Sequence, residues 1–228
     1  SMALILCIET SHSTASVALC KDEDHIAFRE STSQKEHASF LQPAIQDMMK
    51  EVGLTLDRID ALSVSIGPGS YTGLRVGLAS AKGICYALNK PLITIDSLTI
   101  IAHLAKKEIL NNAEPSFIVP MIDARRDEVF FSIFDHQLRV IAPPQAHILT
   151  DQSFEDVLSK PVFFAGDGTG KWKLRCMHPK ASFRDIRPSA REMVSLSLEA
   201  WHHQNFASLS HSTPLYAKEF YSTIQKPG

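Results

Sequence analysis

Four of the ten glycines fall within residues 67–77, which read Gly-Pro-Gly-Ser-Tyr-Thr-Gly-Leu-Arg-Val-Gly. They stand where an apolar run, residues 62–66, hands over to a helical pattern. At such a junction the first amides of the helix lack partners, and the helix dipole favours an anion. Gly67 and Gly69, with Ser70 beside them, would let backbone come close to a nucleotide. The spacing fits no Walker loop, because no Gly-Lys-Ser/Thr follows. The run G-x-G-x-x-x-G is also one residue too long for the dinucleotide fingerprint. Two readings therefore stand side by side: a phosphate cradle, or a turn whose small residues let another segment pack closely. Gly73, Gly77 and Ala81 recur every four residues and share one helix face.

Glu9 and Ser11 are the second candidates. They follow the apolar run 3–8, and a carboxylate with hydroxyls at a strand end can hold magnesium or phosphate, or simply close a turn on itself. Gly166 and Gly168, in Gly166-Asp167-Gly168-Thr169-Gly170-Lys171, suggest a third phosphate loop, but the spacing again misses a Walker motif and favours a plain turn. The ten histidines include no HExxH and no HxxxH pair, so no metal site is expected. His37 and His103 read as surface or core residues, and the neighbours His202 and His203 point to different helix faces. No GxSxG is present. The cysteines at 7, 20, 85 and 176 form no CxxC and read as reduced, buried thiols of a cytoplasmic protein.

The elements that must position these groups follow from periodicity. Residues 3–8, 15–20 and 25–30 read as a three-strand meander. Ser33 and Glu36 form a capping-box pattern for a helix over about 34–52, stopped by Gly53. Its apolar positions Phe40, Leu41, Ala44, Ile45, Met48 and Met49 make a broad stripe. A strand at 62–66 enters the glycine turn, and Thr72 is placed to cap a helix over about 73–88, ended by Asn89-Lys90-Pro91. A strand at 92–95 and a helix at 97–110 complete a first lobe, residues 2–110. A polar stretch at 111–116 opens a smaller second lobe, 111–210. It has strands at 117–122, 128–134 and 162–165, an extended stretch at 143–149, a short helix at 154–159, and a helix at 189–202 capped by Ser189 and Glu192. Residues 211–228 form a tail that can return to the first lobe. The order is α/β.

The chain has 228 residues, is 44% hydrophobic, and carries a formal net charge of −2. That supports one large domain or two small ones. It lacks the basic excess of an autonomous nucleic-acid binder. No apolar run is long enough to span a bilayer, so no membrane partner is expected.

Residues 6–19 (LCIETSHSTASVAL), 67–82 (GPGSYTGLRVGLASAK), 122–129 (IDARRDEV) and 188–192 (PSARE) resemble the TsaB family. The resemblance covers most of the chain and is densest over 3–130. It implies an actin-like ATPase (ASKHA, ribonuclease H-like) fold with two lobes, each a mixed sheet flanked by helices. It also implies a non-catalytic scaffold that works with the paralogue TsaD and with TsaE. Together these make threonylcarbamoyladenosine beside the anticodon of tRNAs reading codons that start with adenine. In TsaD a His-x-x-x-His pair holds the catalytic metal. Here Ser97 and Ile101 fall at those positions, and neither replaces an imidazole. The resemblance further implies that this chain needs no cofactor of its own, with ATP and magnesium acting at the level of the complex, and that it meets tRNA indirectly, through the complex. It would pair with itself or with TsaD through the helices at about 34–52 and 73–88. The residues expected in that interface are Phe40, Leu41, Ala44 and Met48 on the first helix, and Gly73, Leu74, Gly77, Leu78 and Ala81 on the second. The alternative is a small-molecule kinase or ATPase of the same superfamily. Its best catalytic carboxylate is Asp123, which lies in a predicted hairpin turn.

Overall fold

The computed structural model describes residues 2–31, 33, 36–109 and 114–214. They form two compact units. The first comprises residues 2–97 and 188–214, and the second 98–187.

In the first unit β1 (Leu4–Glu9), β2 (Ser16–Lys21) and β3 (Asp24–Glu30) form the antiparallel meander. Strands β4 (Ala61–Ser65) and β5 (Leu92–Ile95) add in parallel, giving the order β3-β2-β1-β4-β5. Every residue of β1 is buried, as a central strand requires when both faces are covered. Alternation along the strand divides its side chains between two layers. Leu4, Leu6 and Ile8 join the apolar cluster with α1 (His37–Glu51) and α2 (Tyr71–Leu88). Cys7 faces the other layer, where its Sγ lies 3.7 Å from Ser197 Oγ on the last helix among the described residues, Val194–His202. Each fully buried Leu or Ile in such a cluster contributes roughly 1.5–3 kcal/mol.

Residues 188–214 return to this unit through specific bonds. Ala190 N–H donates to Ser16 Oγ (2.9 Å), and Ser197 Oγ donates to Ser63 Oγ (2.7 Å). Beyond the helix, Ala207 N–H donates to Leu92 O (2.7 Å), covering the β5 edge. The division at 97/98, with the return at 188, differs from the expected boundary near 110. Of the polar stretch at 111–116, residues 111–113 lie outside the described residues, as does the tail beyond 214.

The second unit begins within the first turn of α3 (Ser97–Glu108). Its strands are β6 (Phe117–Asp123), β7 (Glu128–Asp135), β8 (Val140–Ile148), β9 (Val162–Ala165) and β10 (Ala181–Arg184), in the order β10-β9-β6-β7-β8. β6, β7 and β8 are antiparallel; β9 and β10 add in parallel. Counted from its own first strand, each sheet has the order 3-2-1-4-5. No sequence repeat announces this shared topology. Ile118 and Ile122 pack with Leu98, Ile101, Ala102 and Ala105 of α3. Val119 and Met121 face an aromatic cluster of Phe131, Phe154, Phe164 and Trp172. The short helix α4 (Thr169–Lys173) supplies Trp172, and the helix Val194–His202 in the first unit is accordingly α5.

Several local expectations change. α1 starts at His37 with Glu36 as its cap residue and no side-chain capping bond. Ser33 is turned instead to Ser31, whose Oγ accepts its N–H (3.2 Å); residues 34 and 35 lie outside the described residues. Ser70, not Thr72, caps α2, because its Oγ accepts the Gly73 N–H at 3.3 Å. Residues 154–159 form successive turns, with Phe154 at φ +62°. Ser189 caps a 3₁₀ turn, Ala190–Met193, before α5, and accepts from Arg191 N–H. β10 adds a strand not legible in the sequence.

Candidate functional site

The end of β1 and the glycine turn come together. Glu9 is fully buried, and its Oε1 accepts both the N–H (2.6 Å) and the Oγ–H (2.5 Å) of Ser11. Ser11 Oγ also lies 2.9 Å from His12 Nδ1. Ser11 O accepts the N–H of Ser70 at 2.7 Å. His37 Nε2 bonds His12 O at 2.7 Å, so α1 braces the same turn.

The glycines make this approach possible. A Cβ at Gly69 would stand 2.2 Å from Ser11 O, one at Gly73 2.2 Å from Thr10 O, and one at Gly77 2.2 Å from Thr10 Oγ1. None of these distances is sterically open to a side chain, so the motif is the seat of the chain's own Glu9–Ser11 turn. Gly67 (φ +99°) bends the strand end so that its carbonyl accepts Ser97 N–H at 2.8 Å. Of the groups expected to cradle a phosphate, Glu9, Ser11, Gly67, Gly69 and Ser70 are gathered. Glu9, Ser11, Gly67 and Ser70 are hydrogen-bonded within the unit, the Ser70 amide that a phosphate would use donating to Ser11 O, and Gly69 lies directly against Ser11.

Gly166 and Gly168 lie in the second unit. A Cβ at Gly166 would sit 2.1 Å from Met121 O, and Gly168 N–H donates to that same carbonyl (3.1 Å). Thr169 Oγ donates to Gly166 O (2.7 Å). These glycines let the loop lie against β6, and the following helix has only five residues. The loop braces the β6–β7 turn: Asp167 Oδ1 accepts Asp123 N–H (2.8 Å), and Lys171 Nζ reaches Arg126 O (2.5 Å) and Glu128 O (3.1 Å). Asp123, the kinase candidate, is ion-paired to Lys171.

The expected subunit face turns inward. Leu41, Ala44 and Met48 on α1, and Gly73, Leu74, Gly77, Leu78 and Ala81 on α2, are all buried inside the unit. Leu41, Ala44, Met48, Leu78 and Ala81 belong to its main apolar cluster. Phe40 alone stays half-exposed. An interface on these helices must therefore use their outer side. There Ala79, Gly83 and Ala87 form a second small-residue stripe at four-residue spacing, exposed, beside Tyr86 at 83% exposure. With Gln42, Leu56, Ser80, Ile84 and Leu88 they line a groove of about 510 Å³. A Cβ at Gly83 would meet nothing within 4 Å. The stripe Gly73, Gly77 and Ala81, at the same spacing, lies on the inward side of α2.

Comparison with known proteins gives this geometry a family. The model of TsaD, tRNA N6-adenosine threonylcarbamoyltransferase, matches residues 29–170, more than half of the chain. The chain belongs to the TsaD family. Among its relatives, a Haemophilus influenzae protein named for tRNA threonylcarbamoyladenosine biosynthesis, TsaB, is 38% identical over 56% of this chain and 52% of its own length. That match spans about half of the relative. The Escherichia coli protein of the same name is 27% identical over 98% of each chain. The solved structure of YeaZ from Pseudomonas aeruginosa, 25% identical, covers 94% of this chain and 100% of its own with a TM-score of 0.80.

Within the TsaD family, Ser97 and Ile101 matter for what they carry. Ile101 is fully buried among Leu98, Ala102 and Ala105 and offers no donor atom. Ser97 is equally buried and offers one hydroxyl. His103, two residues on, has its Nδ1 3.1 Å from Thr99 O. At the positions the resemblance aligns with the TsaD metal ligands, an alkyl group and a single buried hydroxyl do not make a ligand set for a catalytic metal.

Proposed function

We propose that this chain serves tRNA threonylcarbamoyladenosine biosynthesis as a non-catalytic subunit. It pairs with a TsaD-type transferase, cooperates with TsaE, and reaches tRNA as part of that assembly. ATP and magnesium act at the level of the complex. Alone, the chain forms a homodimer through the surface it later offers to the transferase.

The observation that carries this reading is the pair Ser97 and Ile101. Ile101, at a position the resemblance aligns with a TsaD metal ligand, is an alkyl side chain packed in a core. The names of the TsaB relatives supply the process. The outer face of α2 supplies the means of assembly. A mid-helix glycine costs about 1 kcal/mol relative to alanine, and nothing inside the chain needs Gly83 to be small. A partner helix that approaches closely over Ala79, Gly83 and Ala87 gives that smallness a reason.

The test is reconstitution with the transferase and TsaE, ATP, magnesium and unmodified tRNA, reading modified nucleoside by mass spectrometry. Product should form only when both the transferase and this chain are present. Product from this chain without the transferase would refute its non-catalytic role. Equal product without this chain would refute its place in the process.

A further inference from the structure

The β6–β7 turn holds two neighbouring arginines that nothing above has used. Arg125 and Arg126 are exposed, and among the described residues neither guanidinium has a hydrogen bond or ion pair. The rest of the turn is fixed. Ala124 N–H donates to Glu128 O (3.1 Å) and Glu128 N–H to Arg125 O (2.9 Å). Leu149 N–H donates to Asp127 O (2.7 Å). Lys171 holds the carbonyls of Arg126 and Glu128 and the carboxylate of Asp123. Arg175 pairs with Asp127 at 2.9 Å and with Asp151 at 3.6 Å.

Two features single out the arginine pair. First, Asp123 and Asp127, the carboxylates that flank it, are taken by Lys171 and Arg175, which leaves the two guanidiniums without local partners. Second, Arg126 sits at φ +50°. Glycine or asparagine takes that left-handed conformation at least cost, and other residues lose about 1–2 kcal/mol there. A side chain at that backbone cost is a candidate for a functional contact.

We propose that Arg125 and Arg126 form a phosphate clamp for the ribose-phosphate backbone of the tRNA. The proposal rests on the reading above that the chain serves tRNA modification. Guanidinium forks match phosphate oxygens bidentately. Two on consecutive residues, with Cα atoms about 3.8 Å apart, can grip one phosphate or two neighbours. Asp123, Asp127, Glu128, Asp151 and Asp167 offset the cations around the turn. The pair therefore acts at contact range and exerts no long-range field, in keeping with the chain's net charge of −2.

The experiment measures binding of fluorescently labelled tRNA to the complex of this chain with its transferase across a salt series. The complex carries either the unchanged chain or the double variant Arg125→Ser, Arg126→Asn. Asparagine keeps the left-handed turn, and an unchanged melting temperature checks the fold. The double variant should bind several-fold more weakly, and the slope of log affinity against log salt should fall by about one per arginine. Lys160→Ser, another exposed cation of the same unit, should change neither. An equal slope and affinity in the double variant would overturn the proposal, as would failure of the unchanged complex to bind tRNA. So would loss of the transferase on co-purification, which would make the pair a protein contact. Displacement of tRNA from the unchanged complex by free ATP at constant ionic strength, absent in the double variant, would assign the clamp to a nucleotide and overturn it too. If the modification assay still requires this chain while these binding tests fail, the clamp alone is refuted.

Discussion

At Gly77 the space for a side chain is already occupied by Thr10 Oγ1, 2.2 Å from where a Cβ would stand. Gly77→Ala should destabilise the chain by about 1–3 kcal/mol, the usual range for overpacking a filled core. Thr10→Ala removes the colliding oxygen. The double variant should recover most of the loss, a coupling of at least about 1 kcal/mol in urea denaturation. Additive single effects would show that the two residues do not meet. A second residue-scale expectation concerns Cys85, whose thiol burial pushes up to about 11. An unfolded cysteine ionises near 8.5, so between these pH values only the unfolded chain gains thiolate. Stability is then fully present below about pH 8.5 and falls as pH climbs toward 11. Urea midpoints measured across that window should decline, and less steeply in Cys85→Ala. A decline of the same steepness in both proteins would remove Cys85 as a cause.

The contrast between two glycines belongs to α2 as an element. Gly83 lies six residues after Gly77 on the same helix, yet a Cβ there meets open space. Gly83→Ala should therefore raise stability by about 0.8–1 kcal/mol through helix propensity alone, the opposite sign to Gly77→Ala. The cap can be tested in the same assay. Ser70→Ala should cost about 1 kcal/mol and Thr72→Ala much less, since Ser70 holds the Gly73 N–H. Much of the element order was legible, because β1–β5 and α1–α3 carry strong periodicity bounded by Gly, Pro and Asn. The helix starts later than the capping-box pattern predicts: Glu36 is itself the cap residue, and the Ser33 backbone bonds Ser31 Oγ. β10 was missed because a four-residue strand with alternating half-exposure carries little apolar signal. The small-residue face was legible as a face but not as inward-facing. Smallness permits close approach whether the neighbour is the same chain or another, and only the position of Thr10 settles which.

For the whole molecule, the two units share a strand order and differ in what their glycine-rich turns do. The first seats the Glu9–Ser11 turn against α2; the second fixes a hairpin against β6. Both motifs look like phosphate loops in sequence because glycine serves any close backbone approach. In both, groups that could meet a phosphate are hydrogen-bonded within the unit, and the outer side of α2 and the β6–β7 turn are exposed. Assembly is thus the central claim, and sedimentation of the chain mixed with its transferase measures it most directly. Gly83→Trp, placed on the exposed stripe, should abolish the heterodimer while leaving the melting temperature of the isolated chain close to its original value. A heterodimer of undiminished affinity in Gly83→Trp would contradict the account.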